Sequence, residues 1–219
     1  MKLNSEKGKA HVLDLKGRIR NVLSSRLDEL SGHNPLRIAC NNCILTGGAI
    51  VSMFHNEVPN DFDLLFNFTA DLEQVKFDIA NGTERIIHRS LVKNVNTKYF
   101  REKTPPLKDG KLITDWAVTL YNDVQLVLRH CSYRTGFDFV HVMPYYDISR
   151  DKLFISQAQF DCLIKKEIKI NPDHCQPICE KRVLKYTDRG WTISDEEINK
   201  YSDKKNIIIE PVEDNDPPF

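Results

Sequence analysis

The sequence predicts an α/β (α+β) fold: a mixed β-sheet with flanking helices, followed by a short C-terminal helical segment. Residues 10–30 repeat apolar side chains at helical spacing, which predicts a long amphipathic helix. Residues 113–131 contain two alternating strands joined at Asn122-Asp123, a pattern typical of a β-hairpin. Between these two signals strand-like and helix-like stretches alternate, and 219 residues are enough for one sizeable core.

The elements between these signals follow from apolar patterning and turn residues. The stretch "LRIACNNCILTGG" is predicted to be a strand entering a glycine turn, "GAIVSMFHN" a short helix and "DFDLLFNF" a second strand. A further helix is predicted for "TADLEQVKFDIANG", with Thr69 as its N-cap and Gly82 at its end. The stretch "RIIHRSLVKNV" is predicted to be extended, and "GFDFVHVMPYYD" is predicted to contain a strand that ends at Pro144.

The last third of the chain turns helical. Helices are predicted in "SQAQFDCLIKKE" and in "PICEKRVLKYTDRGW", with Gly190 as the stop of the second. The end of the chain, "EPVEDNDPPF", is acidic and proline-rich, a composition typical of flexible segments. The predicted regions are an N-terminal helix (1–36), a main α/β unit (37–150), a helical segment (151–195) and a flexible acidic tail (196–219).

Composition limits the environment and the partners. The formal net charge of zero neither supports nor excludes a nucleic-acid partner. No apolar run approaches the roughly 18 residues that span a bilayer, and the polar start "MKLNSEKGKA" is unlike a signal peptide. We therefore expect a cytoplasmic protein with no membrane partner. The groups "CNNC" and "HCQPIC" are candidate zinc ligands, but the apolar stretch around Cys40 favours buried thiols, and we predict no zinc site.

The stretch "LTGGAIVSMFHNEVPNDFDLLF" (45–66) carries the main candidate site. On a strand, Asp61 and Asp63 project from one face, and two carboxylates so close repel each other unless a divalent cation such as Mg²⁺ (or Mn²⁺) neutralises them. Gly47-Gly48, at a strand-to-helix turn, lets the backbone approach phosphates closely. An edge strand facing solvent beside an ordinary glycine turn is the alternative. The two features together favour metal-assisted phosphoryl or nucleotidyl transfer.

This stretch, with its glycine pair, short helix and "DFD", resembles the signature of the polymerase-β nucleotidyltransferase superfamily. It looks most like the head domain of tRNA CCA-adding enzymes and poly(A) polymerases, and the whole arrangement is similar to small phage-type nucleotidyltransferases. The stretch "FDFVHVMPYY" (137–146) is similar to the family's Asp-Phe-Thr-x-Asn-Ala segment, and "RVLKYTDRGWTIS" resembles its Arg-rich neck helix. The resemblance covers residues 37–193.

The resemblance implies that residues 37–150 form a nucleotidyltransferase head and residues 151–195 a neck-like segment. It implies that Asp61 and Asp63 are the catalytic metal ligands. It also implies a set of nucleotide-binding residues: Thr46, Gly47, Gly48, Ser52, Gln125, Arg129 and Asp138. Within that set, Asp138 would orient the sugar and Arg129 would offset phosphate charge.

The chain departs from the family pattern beside the acidic pair. Val51 and Ser52 stand where CCA-adding enzymes have Arg-Asp, so one triphosphate contact must come from elsewhere. Gln125 stands at the position of the third carboxylate. Either Asp115 or Asp123 substitutes for it, or the site works with two acids.

A basic loop is the candidate nucleic-acid contact. Residues 85–111 are rich in Lys and Arg, interleaved with Tyr99 and Phe100, which suits phosphate contact and base stacking. A solvated loop without a ligand is the alternative. The candidate nucleic-acid-binding residues are Lys93, Lys98, Arg101 and Lys103.

The sequence therefore predicts a nucleotidyltransferase that moves a nucleoside monophosphate from an NTP, ATP among them, to a hydroxyl acceptor, with release of pyrophosphate. An RNA 3′ end, such as that of a tRNA, is the leading acceptor. The family's template-reading Glu-Asp-x-x-Arg motif has at most a remnant in Glu180 and Arg182, which leaves base selection open. The alternatives are nucleotidylation of a protein, as in toxin-like members, and a catalytically inactive nucleotide- or nucleic-acid-binding module.

Overall fold

The computed structural model describes residues 1–30, 32–81, 85–86, 92–97, 116–128, 136–174, 178 and 180–205. Helix α1 spans Glu6–Asp28, and Ser5 caps its start by accepting a hydrogen bond from the Gly8 N–H at 3.1 Å. Its buried leucines and isoleucine recur every four positions and join the main core: Leu15, Ile19, Leu23 and Leu27. The predicted amphipathic helix is confirmed, with an earlier start.

Seven strands form the central sheet. They are β1 (Cys43–Thr46), β2 (Phe62–Phe66), β3 (Val92–Thr97), β4 (Trp116–Leu120), β5 (Val124–Val127), β6 (Tyr145–Asp147) and β7 (Lys152–Phe154). Their order across the sheet is β3-β4-β5-β2-β1-β6-β7. Strands β2 and β5 run parallel, whereas the other neighbouring pairs are antiparallel. The predicted mixed sheet is therefore confirmed.

Strands β4 and β5 form the predicted hairpin. They pair antiparallel with Thr119 opposite Gln125. In the turn, Asp123 adopts a left-handed φ of 61°, a conformation that Asn and Asp tolerate better than most residues. The Asn122 side-chain amide donates a 2.7 Å hydrogen bond to the Arg26 carbonyl oxygen, which ties the turn to α1.

The two faces of the sheet differ in chemistry. On one face the cross-strand partners in β1, β2 and β5 are fully buried leucines: Leu45, Leu64 and Leu126. The residues that alternate with them are Thr46, Asp63 and Gln125, which are also cross-strand partners and share the opposite face. The guanidinium of Arg26 lies over the Phe62 ring, which places α1 on the leucine face. The polar row is therefore on the face that α1 leaves uncovered.

Helix α2 (Asn34–Asn41) corrects the sequence prediction, because a strand was expected there. Pro35 lies in the first turn of α2, a position that suits proline, and Leu36, Ala39 and Cys40 are buried on one side. A short apolar run fits a helix or a strand equally well, so its pattern did not decide between them. Strand β1 begins only at Cys43, the residue after the helix and its C-cap.

Helices α3 (Gly48–Phe54) and α4 (Thr69–Asn81) agree with the predicted helices. The apolar residues of α3, among them Ile50 and Val51, are buried, and α3 contacts α1. In α4, Thr69 is the first helical residue and not the N-cap that the sequence predicted. Gly82, its predicted end, lies outside the described residues.

The stretch "GFDFVHVMPYYD" was predicted to be a strand ending at Pro144, and this prediction is wrong in part. Phe139 forms an isolated bridge with Ile170, and a 3₁₀ turn follows at Val140–Val142. Strand β6 begins after Pro144. Proline lacks the N–H that a central strand would use for pairing, which explains why regular pairing starts only after it.

The C-terminal part contains α5 (Gln157–Lys165), β8 (Glu167–Ile168), α6 (Glu180–Thr187), β9 (Thr192–Ile193) and α7 (Asp195–Lys205). A capping box of Ser156 and Gln159 starts α5. Gly190, at φ 78°, follows α6 as predicted. Helix α7 differs from the flexible tail that was predicted to begin at residue 196, and residues 206–219 lie outside the described part.

None of the helices in the described ranges combines the length and apolar character needed to cross a membrane.

Candidate functional site

The acidic pair lies at the start of β2, near the middle of the sheet. Asp61 directly precedes the strand, and Asp63 is its second residue, opposite Thr46 of β1 and beside Gln125 of β5. Both aspartates keep part of their surface exposed, although protein atoms surround the Asp63 carboxyl closely enough for burial to raise its pKa. Asp61 lies just outside the strand, and its closeness to Asp63 is indicated by its charge, which raises the pKa of Asp63.

Burial and the charge of Asp61 raise the pKa of Asp63 to about 7, while Lys185 and Arg182 act in the opposite direction. A carboxyl group with this pKa carries a full charge near neutral pH only if a cation compensates it. The described residues contain no group of three or more His, Cys, Asp or Glu side chains placed to hold a metal ion. The two aspartates therefore form the acidic part of the candidate site.

The Gly47-Gly48 turn approaches this pair directly. Gly47 has φ 77°, and a Cβ atom there would lie 3.1 Å from Asp63 Oδ2. The backbone of Gly47 is held by a 3.2 Å hydrogen bond from its N–H to the Val142 carbonyl oxygen. A larger residue at position 47 would therefore be strained in its backbone and would press on the carboxylate.

Thr46 and Ser52 lie on either side of this turn. The buried Thr46 hydroxyl donates a 3.1 Å hydrogen bond to the Pro144 carbonyl oxygen, so it holds β1 against the segment before β6. The Ser52 hydroxyl accepts a 3.2 Å hydrogen bond from Arg189. In this structure both hydroxyls are thus used by neighbouring protein groups.

Gln125 lies on the same sheet face as Asp63 and is its direct partner in β5. Its side-chain nitrogen donates a 3.2 Å hydrogen bond to Thr119 Oγ1, so this bond occupies the amide nitrogen and not the oxygen. Asp123 lies one residue before β5, and its carbonyl oxygen accepts a hydrogen bond from the Phe62 N–H at 3.0 Å. Asp115, the other proposed substitute for a third carboxylate, lies outside the described residues.

Asp138 is buried and forms a two-pronged ion pair with Arg182 of α6. The guanidinium Nε bonds one carboxylate oxygen, and Nη2 bonds the other at 3.0 Å. Such a pair fixes both side chains. The predicted sugar-orienting residue therefore anchors α6 to the segment before the 3₁₀ turn.

Helix α6 and the turn after it bring a row of basic side chains to the glycine turn. Lys185 Nζ lies 4.0 Å from the position of a Cβ atom on Gly48. Arg189 forms an ion pair with Glu57 besides its hydrogen bond to Ser52. Neither Lys185 nor Arg189 was predicted to be a site residue from the sequence. Lys185 and Arg189 follow Arg182 by three and seven positions, a spacing typical of side chains on one face of a helix. This spacing could have indicated them from the sequence.

A cluster of buried rings holds α6 in this place. His141 packs against Phe139, Tyr186 and Trp191, with ring centroids 5.4, 4.3 and 4.2 Å away. Neither ring nitrogen of His141 has a hydrogen-bond partner among the described residues, and burial lowers its pKa to about 3. His141 is therefore a neutral packing residue.

Several predicted site residues fall outside the described part. They are Arg129, Lys98, Arg101 and Lys103. Lys93 lies on β3, and only its backbone is described. Of the candidate zinc groups, Cys40 and Cys43 are buried free thiols, and burial raises the pKa of Cys40 to about 12, which disfavours the thiolate that zinc needs. Cys175 and Cys179 are not among the described residues.

The mixed α/β fold of the chain is similar to that of a nucleotidyltransferase head domain. The CCA-adding enzyme of Thermotoga maritima, solved in complex with tRNA_CCA, matches at a TM-score of 0.51 and 12% identity, over 85% of this chain and 44% of that one. A tRNA-processing enzyme solved with CTP matches at 0.45 and 14% identity, over 74% and 42%. The chain thus spans less than half the length of either protein.

The sequence comparisons give one family. No protein in a search of curated proteins matches the chain. A family model described as "Gabija anti-defense 2 family protein" matches residues 17–166, well over half of the chain, and that range includes the glycine turn and both aspartates. The chain therefore belongs to the Gabija anti-defense 2 family.

Proposed function

We propose that this chain is a metal-dependent nucleotidyltransferase that moves a nucleoside monophosphate from an NTP to a hydroxyl acceptor. In this reaction the acceptor hydroxyl releases its proton to solvent and its oxygen bonds to the α-phosphorus. The bond from the α-phosphorus to the oxygen of the β-phosphate breaks, with pyrophosphate as leaving group. The observation that carries the proposal is the carboxylate of Asp63, which lies 3.1 Å from where a Cβ atom of Gly47 would be, together with the charge of Asp61 acting on it.

The residues present fit a divalent cation. The pKa of Asp63 is raised to about 7 by burial and by Asp61, so a positive ion between the two carboxylates would relieve an existing electrostatic cost. Mg²⁺ or Mn²⁺ held by Asp61 and Asp63 would stabilise the charge that develops on the phosphoryl oxygens. Gln125, on the same face, offers an amide oxygen beside the pair.

The remaining residues of the proposed site bind and orient the nucleotide. The Gly47-Gly48 turn lets the backbone approach the phosphates, with Thr46 and Ser52 on either side. Arg129 would offset phosphate charge. Asp138 would orient the sugar in one of two ways. Its carboxylate would leave Arg182 to bind the sugar, or it would hold Arg182 in place to do so.

RNA is the first proposed acceptor. The structurally similar CCA-adding enzyme was solved with a tRNA, and the basic residues of the predicted loop suit a phosphate backbone. These residues are Lys93, Lys98, Arg101 and Lys103.

A protein is the second proposed acceptor. The family name describes an activity directed against a defence system, and such an activity needs a target outside the chain. A component of that system modified with a nucleotide would meet this need. An inactive binding module remains as the third possibility, because Gln125 stands where a third carboxylate is expected.

The test uses the four α-labelled NTPs with Mg²⁺, offered first with total RNA and then with total protein. Label transferred to RNA supports the first acceptor, and label transferred to protein supports the second. The Asp63→Asn protein is the control, since any label that it transfers does not come from the proposed site. No metal-dependent transfer to either material would support the binding module instead.

A further inference from the structure

Helix α3, which follows the glycine turn, provides no positively charged side chain. Val51 is fully buried and Ser52 nearly so, and α3 carries no basic side chain. Two carboxylates and a triphosphate together hold more negative charge than one or two divalent ions neutralise. A triphosphate placed at Gly47-Gly48 therefore needs a positively charged group from another element.

Helix α6 and the turn after it bring basic side chains to this turn, and two of these side chains already have acidic partners. Arg182 is held by Asp138, and Arg189 is held by Glu57. Each arginine keeps an anion of the protein beside it, so neither can turn fully to a ligand without losing an ion pair. Their contacts instead fix the position of α6 and of the turn after it.

Lys185 differs from both arginines. Its side chain is exposed, and across the described ranges no carboxylate lies within 4.0 Å of its ammonium group. The ammonium nevertheless stands over the glycine turn, 4.0 Å from where a Cβ of Gly48 would be. Lys185 therefore has no ion-pair partner within 4.0 Å among the described residues, although its charge acts on Asp63. Held above a backbone without a side chain, its ammonium group is placed to reach a ligand lying on that backbone.

We propose that Lys185 binds the triphosphate of the nucleotide and supplies the phosphate contact that α3 does not provide. This inference rests on the proposed function, because it takes the acidic pair and the glycine turn to be the nucleotide site. Lys185 would bind the non-transferred phosphates as a flexible point charge, while the acidic pair acts at the transferred one. Lys185 therefore makes the site bind nucleoside triphosphates more tightly than nucleoside monophosphates.

The test measures equilibrium binding of inorganic tripolyphosphate, ATP and AMP to the full chain with Mg²⁺ and without an acceptor. Tripolyphosphate is the main probe because it does not depend on the preferred base. Lys185→Gln should weaken tripolyphosphate and ATP binding by about ten- to a hundredfold, the range of one charge-assisted contact, and leave AMP binding unchanged. Lys185→Arg should retain most of the affinity.

The matched control is Lys7→Gln. Lys7 is also an exposed helical lysine, but it lies on α1, which covers the opposite face of the sheet. The Lys7→Gln substitution removes the same charge and should leave the affinities for tripolyphosphate, ATP and AMP unchanged. Equal tripolyphosphate affinity in wild type and Lys185→Gln would overturn the inference, as would an equal loss of ATP and AMP binding, or no tripolyphosphate binding by the wild type.

The transfer assay with labelled NTPs separates this inference from the proposed function. If the wild type transfers nucleotide and Lys185→Gln keeps its triphosphate affinity, the inference fails and the function stands. If Lys185 supports tripolyphosphate binding but the wild type transfers nothing to RNA or protein, the phosphate site stands and the nucleotidyltransferase function fails.

Discussion

Asp63 is charged at neutral pH only at a cost, because burial and Asp61 both favour its neutral form. With a pKa of about 7 when folded, it binds more protons than in the unfolded chain, so its contribution to stability is lost as the pH rises through 7. Asp63→Asn should therefore abolish nucleotide transfer and, without metal, raise the free energy of unfolding at pH 8 by about 1–3 kcal/mol. Thermal unfolding with and without Mg²⁺ measures this, and parallel losses of stability and activity would contradict it.

His141 should destabilise the fold at acidic pH, whereas Asp63 does so at higher pH. Its pKa of about 3 lies below the ordinary value, so the unfolded chain binds the extra proton between these values, and stability falls as the pH drops below about 6.5. Since neither ring nitrogen has a partner among the described residues, His141→Phe should fold. It should reduce the slope of stability against pH by about 1.4 kcal/mol per pH unit between pH 6 and 4. Denaturant unfolding across this range measures the slope, and equal slopes for both proteins would contradict the assignment.

At the scale of elements, the turn between β1 and α3 couples the fold to the site. Gly47→Ala forces a left-handed φ on alanine and brings its Cβ to 3.1 Å from Asp63 Oδ2. We expect a loss of about 1–2 kcal/mol in stability together with a loss of metal-dependent transfer.

The matched control for this turn is Gly17→Ala. Gly17 lies inside α1, and a Cβ there meets no atom within 4 Å. Alanine should therefore raise stability by about 0.5–1 kcal/mol through its higher helix propensity, with activity unchanged. Chemical denaturation and the transfer assay compare the two variants. Stabilisation by both substitutions would show that the turn at Gly47 is not constrained as the structure indicates.

The elements that the sequence predicted correctly are those whose signal is local. The apolar spacing of α1 and the apolar-polar alternation of the β4–β5 hairpin can each be read within one short segment of the sequence. Helix α2 was missed because a run of eight residues does not distinguish helix from strand by pattern. The acidic pair and the glycine turn could be proposed as a site because both lie in one stretch of the sequence. The position of Lys185 over the turn depends on residues far apart in the sequence, so only the packing of α6 could reveal it.

At the scale of the whole molecule, the numbers of acidic and basic side chains are equal. The formal net charge is zero, so the average field of the protein does not attract a polyanion. Any RNA affinity must then come from a local basic surface, and the slope of log affinity against log salt concentration counts its phosphate contacts. This makes the salt slope a direct test of the first proposed acceptor.

Replacing Lys93, Lys98, Arg101 and Lys103 together by alanine should weaken RNA binding and reduce the salt slope by up to about 3, since each contact to single-stranded nucleic acid releases about 0.7 counterions. Binding of tripolyphosphate should persist, because Lys185 and the acidic pair are unchanged. Fluorescence anisotropy with a labelled single-stranded RNA at several salt concentrations measures both quantities. A slope near zero in the wild type would exclude RNA as the acceptor and favour a protein, because a protein target does not depend on this release of ions.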